Sequence, residues 1–332
     1  MNRRAFVTAL GSVLAAPCRA QAQQRGELHR LGLLSVRPSP FLTEPFIASM
    51  RDRGWIESRD FAMEPRYTGP NLDQAPTLAK ELLDLKVSVI LAITTATAQA
   101  ARKVTHTVPI VMMASGFPVE AGLAESMARP GGNVTGLSIY AGGSLFRKYV
   151  QLLRDLTSTL KTFAVLWNYV PPGFVKEEVD TALTELKQAA VALGVTARVF
   201  EIYARADLDR ALANLRRERA DAVFITSGGP LFTKETAAEI ATFMLQQRLP
   251  TLTDFVGTSF SAGSLMTYSA TAVELAQRSA GFVDRILRGA RPAELPIEQP
   301  TRFELIINLK TAKALGLTIP PSLLLRADQV IE

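Results

Sequence analysis

The chain has 332 residues, 48% of them hydrophobic and 20% charged, with a formal net charge of +6. That length accommodates two domains of ordinary size, and the balance is globular rather than disordered or fibrous. A single cysteine excludes an internal disulfide, and two histidines leave little for zinc or histidine-based catalysis.

The first residues read as an export signal. "MNRRAFVTALGSVLAAPCRAQAQQ" opens on Arg3 and Arg4, runs through an apolar stretch from Ala5 to Ala16 and reaches Ala20-Gln21-Ala22. A basic start, a short apolar core and an A-x-A site predict cleavage after Ala22. The apolar run falls short of the roughly 20 residues that span a bilayer. Arg3, Arg4 and Phe6 match part of a twin-arginine pattern, so both Sec and twin-arginine export stay open. Pro17 makes a poor context for a lipid anchor at Cys18, and the downstream site is preferred. Cleavage removes Arg3, Arg4 and Arg19 and lowers the formal charge from +6 to +3, too weak and too evenly spread to argue for nucleic acid. The expected product is a soluble periplasmic protein without a thiol.

From residue 28 onward, short apolar β-rich runs alternate with stretches of helical period. The predicted strands are 28–36, 61–68, 87–94, 109–115, 134–140, 162–169, 196–203, 221–228, 249–255 and 263–269. Between them, Val179, Leu183, Leu186, Ala190 and Leu193 recur at steps of three and four, and Gly194 ends that helix. A further helix is expected over 120–129. Strand-helix alternation predicts parallel sheets covered on both faces. The order strand, polar turn, helix, X-Pro, strand occurs twice, around Val108-Pro109 and again around Leu249-Pro250. Such a repeat predicts two lobes of similar topology.

The motifs of catalysis are missing. His29 and His106 have no H-E-x-x-H or H-x-E context, and no G-x-S-x-G elbow or Walker loop occurs. Gly131-Gly132-Asn133 precedes a strand, whereas a phosphate loop follows a strand and opens a helix, so a turn or a crossing between lobes is the better reading. Polar residues cluster instead at predicted strand ends: Ser35; Thr94, Thr95 and Thr97; Ser115 and Gly116; Asn168 and Tyr169; Thr226 to Gly229; Asp254 with Phe255. Ligands of open parallel sheets bind outside the carboxyl ends of the strands, while helix capping by Ser or Thr explains any single one of these residues equally well.

"ARPGGNVTGLS" (128–138), the closing segment "PIEQPTRFELIINLKTAKALGLTIPPSLLLRADQVIE" (296–332) and the export signal resemble the ABC-transporter substrate-binding protein family that includes tryptophan- and tyrosine-binding members. The resemblance implies an α/β fold of two doubly wound parallel-sheet lobes joined by a hinge, of the type I periplasmic-binding-protein kind. It implies 28–138 plus 256–291 as lobe 1 and 139–255 plus 292–332 as lobe 2, behind the signal peptide of residues 1–22. Crossings between lobes are expected near 136–142, 250–256 and 290–300, the last stiffened by Pro292, Pro296 and Pro300. The implied protein is a monomer and not an enzyme; it needs no cofactor or metal and hands a small-molecule ligand to a permease in the inner membrane. The expected ligand-binding set is Ser35, Phe41, Thr94, Thr95, Thr97, Ser115, Gly116, Phe117, Tyr140, Asn168, Ser227, Gly228, Asp254 and Phe255. Trp167 is better read as core, and Arg147 and Lys148 as solvated. Where family members often have Asp-Pro after the fourth strand, this chain has Phe117-Pro118, pointing to a more apolar or aromatic ligand. A ligand-sensing protein serving a receptor, and an exported α/β enzyme, are the alternatives.

Overall fold

The structure is a computed structural model that describes residues 28–69, 71–140, 143–168, 176–226, 233–254 and 262–332. The expected strands form, mostly a residue or two shorter than their apolar runs. In the first lobe these are β1 (His29–Ser35), β2 (Phe61–Tyr67), β3 (Val89–Ala92), β4 (Ile110–Ser115) and β5 (Val134–Ser138). They pair as one parallel sheet in the order β2-β1-β3-β4-β5. Helices α1 (Pro40–Asp52), α2 (Ala75–Asp84) and α3 (Thr95–Val104) connect them.

Strand alternation sorts the core onto two faces. Leu31 and Leu33, Val89 and Leu91, and Val111 and Met113 pack with Leu42, Phe46 and Met50 of α1. Leu34, Ile90 and Ala92, and Ile110 and Met112 pack with Ala79 and Leu82 of α2 and with Ala98 and Ala101 of α3. The first face is completed by a late helix, α8 (Ala272–Leu287), through Leu275, Ala276, Phe282 and Val283.

The second lobe begins with α4 (Gly143–Leu156) and holds β6 (Thr162–Asn168), α5 (Lys176–Ala192), β7 (Thr196–Ile202), α6 (Arg205–Glu218), β8 (Ala222–Ile225), α7 (Lys234–Gln246), β9 (Thr251–Thr253) and β10 (Met266–Ala270). Its sheet has seven strands in the order β12-β11-β10-β9-β8-β6-β7. The last two strands, β11 (Phe303–Asn308) and β12 (Gln329–Ile331), follow α8, with α9 (Leu309–Leu315) and α10 (Pro321–Leu324) between them. Along β6, Phe163, Val165 and Trp167 face the α4–α5 side, and Ala164 and Leu166 face α6 and α7. Trp167 is thus core, as expected.

The internal repeat is visible in the backbone. The Ile90 N–H donates to the Pro109 carbonyl at 2.8 Å, and the Val223 N–H donates to the Pro250 carbonyl at 2.9 Å. The two X-Pro steps therefore enter equivalent strands of the two sheets.

Four expectations change. The second sheet is not wholly parallel: β11 runs antiparallel to β10, and β12 follows β11. The crossing expected at 250–256 is not seen over its described part, because Thr251–Thr253 is a buried strand between β8 and β10; residues 255 and 256 lie outside the described residues. The 256–291 segment divides, its strand β10 joining the second sheet and its helix α8 returning to the first. The chain therefore crosses between β5 and the helix that starts at Gly143, at 270–272 and at 298–303. No helix forms over 120–129; turns hold that stretch, with the Leu123 N–H on Pro118 O and the Glu125 N–H on Pro130 O. Pro118, Gly122 and Pro130 suit turns better than a helix.

Residues 128–133 lead into the amino end of β5, away from the carboxyl ends of the strands, and β5 itself fills the rest of the 128–138 stretch. Gly131 makes a left-handed turn (φ +77°), and Asn133 Nδ2 donates to Thr105 O (3.2 Å) and Val108 O (2.7 Å), pinning the turn before β4. Gly136 (φ +124°) sits where a Cβ would collide with the Met112 carbonyl oxygen and amide nitrogen, at the irregular β4–β5 pairing. Gly136→Ala is expected to cost about 2–4 kcal/mol through overpacking and backbone strain. Gly194→Ala, at φ +70° with nothing near its Cβ position, should cost only about 1–2 kcal/mol. Denaturant midpoints of the two variants check the difference.

Candidate ligand-binding cleft between the lobes

The first sheet presents the carboxyl ends of β1, β3 and β4 to the region where the chain crosses into the second lobe. Most of the expected hydroxyls there are committed to the loops themselves. Thr94 caps α3: its Oγ1 accepts the Thr97 N–H (3.3 Å), and Thr97 Oγ1 accepts the Thr94 N–H (3.0 Å) and donates to Thr94 O (2.9 Å). Thr95 Oγ1 accepts the Gly116 N–H at 2.8 Å, tying the β3 and β4 ends together. Ser138 Oγ donates to the Gly116 carbonyl, and Ser35 Oγ donates to Arg37 O at 2.9 Å. Ser115 differs: the residue is wholly buried, yet its Oγ makes no hydrogen bond.

Aromatic rings join the lobes. Phe117, in the loop after β4, stacks on Tyr140 at 5.1 Å with 19° between planes. Tyr140, on the first crossing, stacks in turn on Phe146 of α4 at 5.6 Å and 22°. Phe146 meets Tyr149 edge-on (6.1 Å), and Tyr149 reaches Phe224 of β8 at 4.8 Å. Offset stacks of this kind add to the burial of the rings. The Tyr140 hydroxyl donates to Asp254 Oδ2 at 3.5 Å, just past the end of β9, and its carbonyl accepts from Gln299 Nε2 at 2.8 Å on the third crossing. Phe117, Tyr140 and Asp254 are thus brought together, whereas Phe41 is 41% exposed on the first turn of α1. Asn168 ends β6; Ser227, Gly228 and Phe255 lie outside the described residues.

Arg37, in the loop "SVRPSP" after β1, was not in the expected set. It is half-buried beyond the end of β1, and burial lowers its pKa below the ordinary arginine value. Arg147 is exposed; Lys148 is partly buried, its Nζ 5.6 Å from the Tyr268 ring centre, with its pKa lowered by burial and then by Arg326. A hollow lined by Val199, Glu201, Asp207 and Arg210 lies on the β7 edge of the second lobe, apart from the cleft. Among the described residues there is no cluster of three metal-ligating side chains, and no helix is long and apolar enough to cross a membrane.

A model of the ABC transporter substrate binding protein family matches residues 45–331. The chain belongs to that family. It is 25% identical over 276 residues to the tyrosine-binding protein of Clostridioides difficile (strain R20291), covering 82% of this chain and 75% of the relative. Among solved structures, a conserved domain protein from Vibrio cholerae superposes with a TM-score of 0.82 at 23% identity, covering 92% of this chain and all of that one. An ABC domain from Streptococcus pneumoniae in complex with L-Trp gives 0.81 at 22% identity, with 92% and 100% covered. The fold is that of the type I periplasmic binding proteins, with two α/β lobes.

Tyr149 of α4 is one of the largest fully buried side chains, in the core with Phe146 and Phe224. Burial, then the charge of Asp254, raises its pKa well above the ordinary tyrosine value. The neutral phenol is the form the fold keeps, whereas an unfolded tyrosine ionises near about pH 10. The contribution is fully present below that pH and is lost as pH rises through the folded-state pKa. Denaturation midpoints measured from about pH 8 to about pH 11 should therefore fall more steeply for the wild type than for Tyr149→Phe. Parallel curves would remove Tyr149 as the cause.

Proposed function

We propose that this chain is the exported solute-binding component of an ABC uptake transporter. It captures a small aromatic or polar organic solute, an amino acid or an aromatic acid, and delivers it to a membrane permease. Residues 1–22 act as the export signal, and the monomeric protein works in the periplasm by binding rather than turnover. Nucleic acid plays no part.

The observation that carries this reading is the stacked series Phe117–Tyr140–Phe146, which runs from the first lobe through a crossing into the second. A flat ring entering beside it would touch both lobes at once, and contact with both lobes is what selects a closed state. The Streptococcus pneumoniae neighbour holds L-Trp and the Clostridioides difficile relative is named for tyrosine, which supports an aromatic solute. Phe117, in place of a loop aspartate, favours ring contact over ammonium binding.

A thermal-shift screen of the purified protein tests the reading, using L-tyrosine, L-tryptophan, aromatic acids without the amino group, aliphatic amino acids and sugars. A ligand at about 100 times its Kd adds about 2.7 kcal/mol of stability, so an aromatic carboxylic solute should raise the melting temperature by several degrees without being converted. Shifts from sugars alone would discard the ligand class, and turnover of a bound solute would discard the binding role.

A further inference from the structure

The two lobes share one buried apolar cluster. Ala75, at the start of α2, and Ala96 and Ala100 of α3 belong to it together with Val179, Leu183 and Leu186 of α5. Their helix mates Ala79, Ala98 and Ala101 pack the other way, into the first lobe's own core. Ala75, Ala96 and Ala100 are nonetheless at most 2% exposed. The faces of α2 and α3 that leave the first lobe's core are thus covered, in a cluster that continues into α5. That is the arrangement of lobes closed on each other.

Glu185 stands at the edge of this contact. On α5 it comes three residues after Ala182 and four before Ala189, both buried, and so shares their side of the helix. Its Oε2 is buried and makes no hydrogen bond. The residues one turn away on α5 are Thr181, Ala182, Gln188 and Ala189, so its own helix sets no cation beside it. Across the contact, the charge that acts on it is Glu120 of the first lobe, in the turn after Phe117 and Pro118. Gln99 Nε2 of α3 donates to the next carbonyl, Ala121 O, at 2.9 Å and fixes that turn against α3. Burial, then the Glu120 charge, raises the Glu185 pKa above the ordinary glutamate value.

The basic groups of the adjoining helices lie elsewhere. Lys148 of α4 sits over the Tyr268 ring, Arg154 Nη1 donates to the Leu193 carbonyl beyond α5, and Arg102 of α3 lies beside Gly132. Asp73 before α2, Lys80 of α2, Lys103 of α3, Arg147 of α4 and Lys187 of α5 are exposed. A carboxylate taken from water beside a like charge is costly, and taking up a proton removes that cost. When the lobes part, Glu185 regains water and ionises near the usual value of about 4.3. Above that value the closed state holds more protons at this site than the open one, so closing is favoured as pH falls.

We propose that Glu185 is a proton-sensitive latch between the lobes: closing takes up a proton there, and the closed state strengthens as the surroundings become more acidic. The inference rests on the hinge-closure reading above and adds a regulation to it.

Small-angle X-ray scattering of the solute-free protein tests it. The wild-type radius of gyration should rise as pH is taken from about 5 to about 8, where Glu185 ionises and the lobes part. Glu185→Gln, a neutral stand-in for the protonated acid, should keep the smaller radius at both values. Glu120→Gln removes the like charge and leaves the burial, so it should reduce the rise without abolishing it. The Glu120 variant and the wild-type curve decide the matter even where Glu185→Gln folds poorly. An unchanged wild-type radius, a Glu185→Gln protein that keeps the wild-type rise, or a Glu120→Gln protein with the full rise would overturn the latch. None of these outcomes touches the binding-protein reading, which stands or falls on the thermal-shift screen.

Discussion

Three crossings have to meet at one end of two otherwise separate sheets, and one carboxylate does most to hold them. Glu274 lies in the first turn of α8, immediately after the second crossing, where Thr271 Oγ1 caps its N–H at 3.0 Å. Its side chain accepts the Thr301 N–H and hydroxyl, each at 3.1 Å, and the Arg302 N–H at 3.3 Å, all on the third crossing. One turn further on, Arg278 binds Glu298 (2.6 Å) and the Gln299 carbonyl (2.6 Å). The side chains are 16% to 34% exposed, so salt screens them less than it would a surface pair.

The first crossing joins the same assembly. Glu298 N–H donates to Gly136 O and Ser138 N–H donates to Glu298 O, so the third crossing extends the first sheet beyond β5. Gln299 then reaches the carbonyl of Tyr140. In the proposed closure, backbone rotation is confined to a few residues between these clamps, and Tyr140 lies among them. The ring that stacks across the lobes is therefore also part of the segment that turns. Ligand contact and lobe position become coupled through one residue, without a longer relay.

Much of the fold was legible because parallel strands buried on both faces must be apolar almost throughout, as the centres of "VSVILAIT" and "DAVFITSG" are. The repeat was legible for a related reason: proline before β4 and before β9 leaves its carbonyl free to accept from the adjacent strand. What the sequence could not carry was membership. Thr251–Thr253 and Met266–Ala270 read as strands, but nothing local says which sheet a strand joins, and a three-residue β9 resembles a linker. The tail strands β11 and β12 were missed as strands although "FELIIN" is apolar enough, since β12 is only three residues and gains its order from Asp328, whose carboxylate accepts the Leu305 N–H at 2.9 Å. The glycines of 128–138 had a more local purpose than a crossing: one turn and one close approach of backbone to backbone.

The proposed site reads from the sequence as a place more than as a set of residues, for a reason that hydrogen-bond accounting makes plain. Thr94 and Thr97 spend their hydroxyls on each other across the α3 cap, Thr95 accepts from Gly116, Ser138 donates to Gly116, and Ser35 donates to Arg37. A buried hydroxyl that already bonds its own loop gains little by turning to a ligand, because the loop group it leaves is then unsatisfied at a cost of about 1–3 kcal/mol. These residues are therefore better understood as the bonds that make the strand ends rigid. In the proposed reading, contact with the solute falls instead to the stacked rings of Phe117 and Tyr140 and to the Ser115 hydroxyl, which makes no hydrogen bond. A sequence displays hydroxyls at strand ends well, but it does not display which of them the backbone has already claimed.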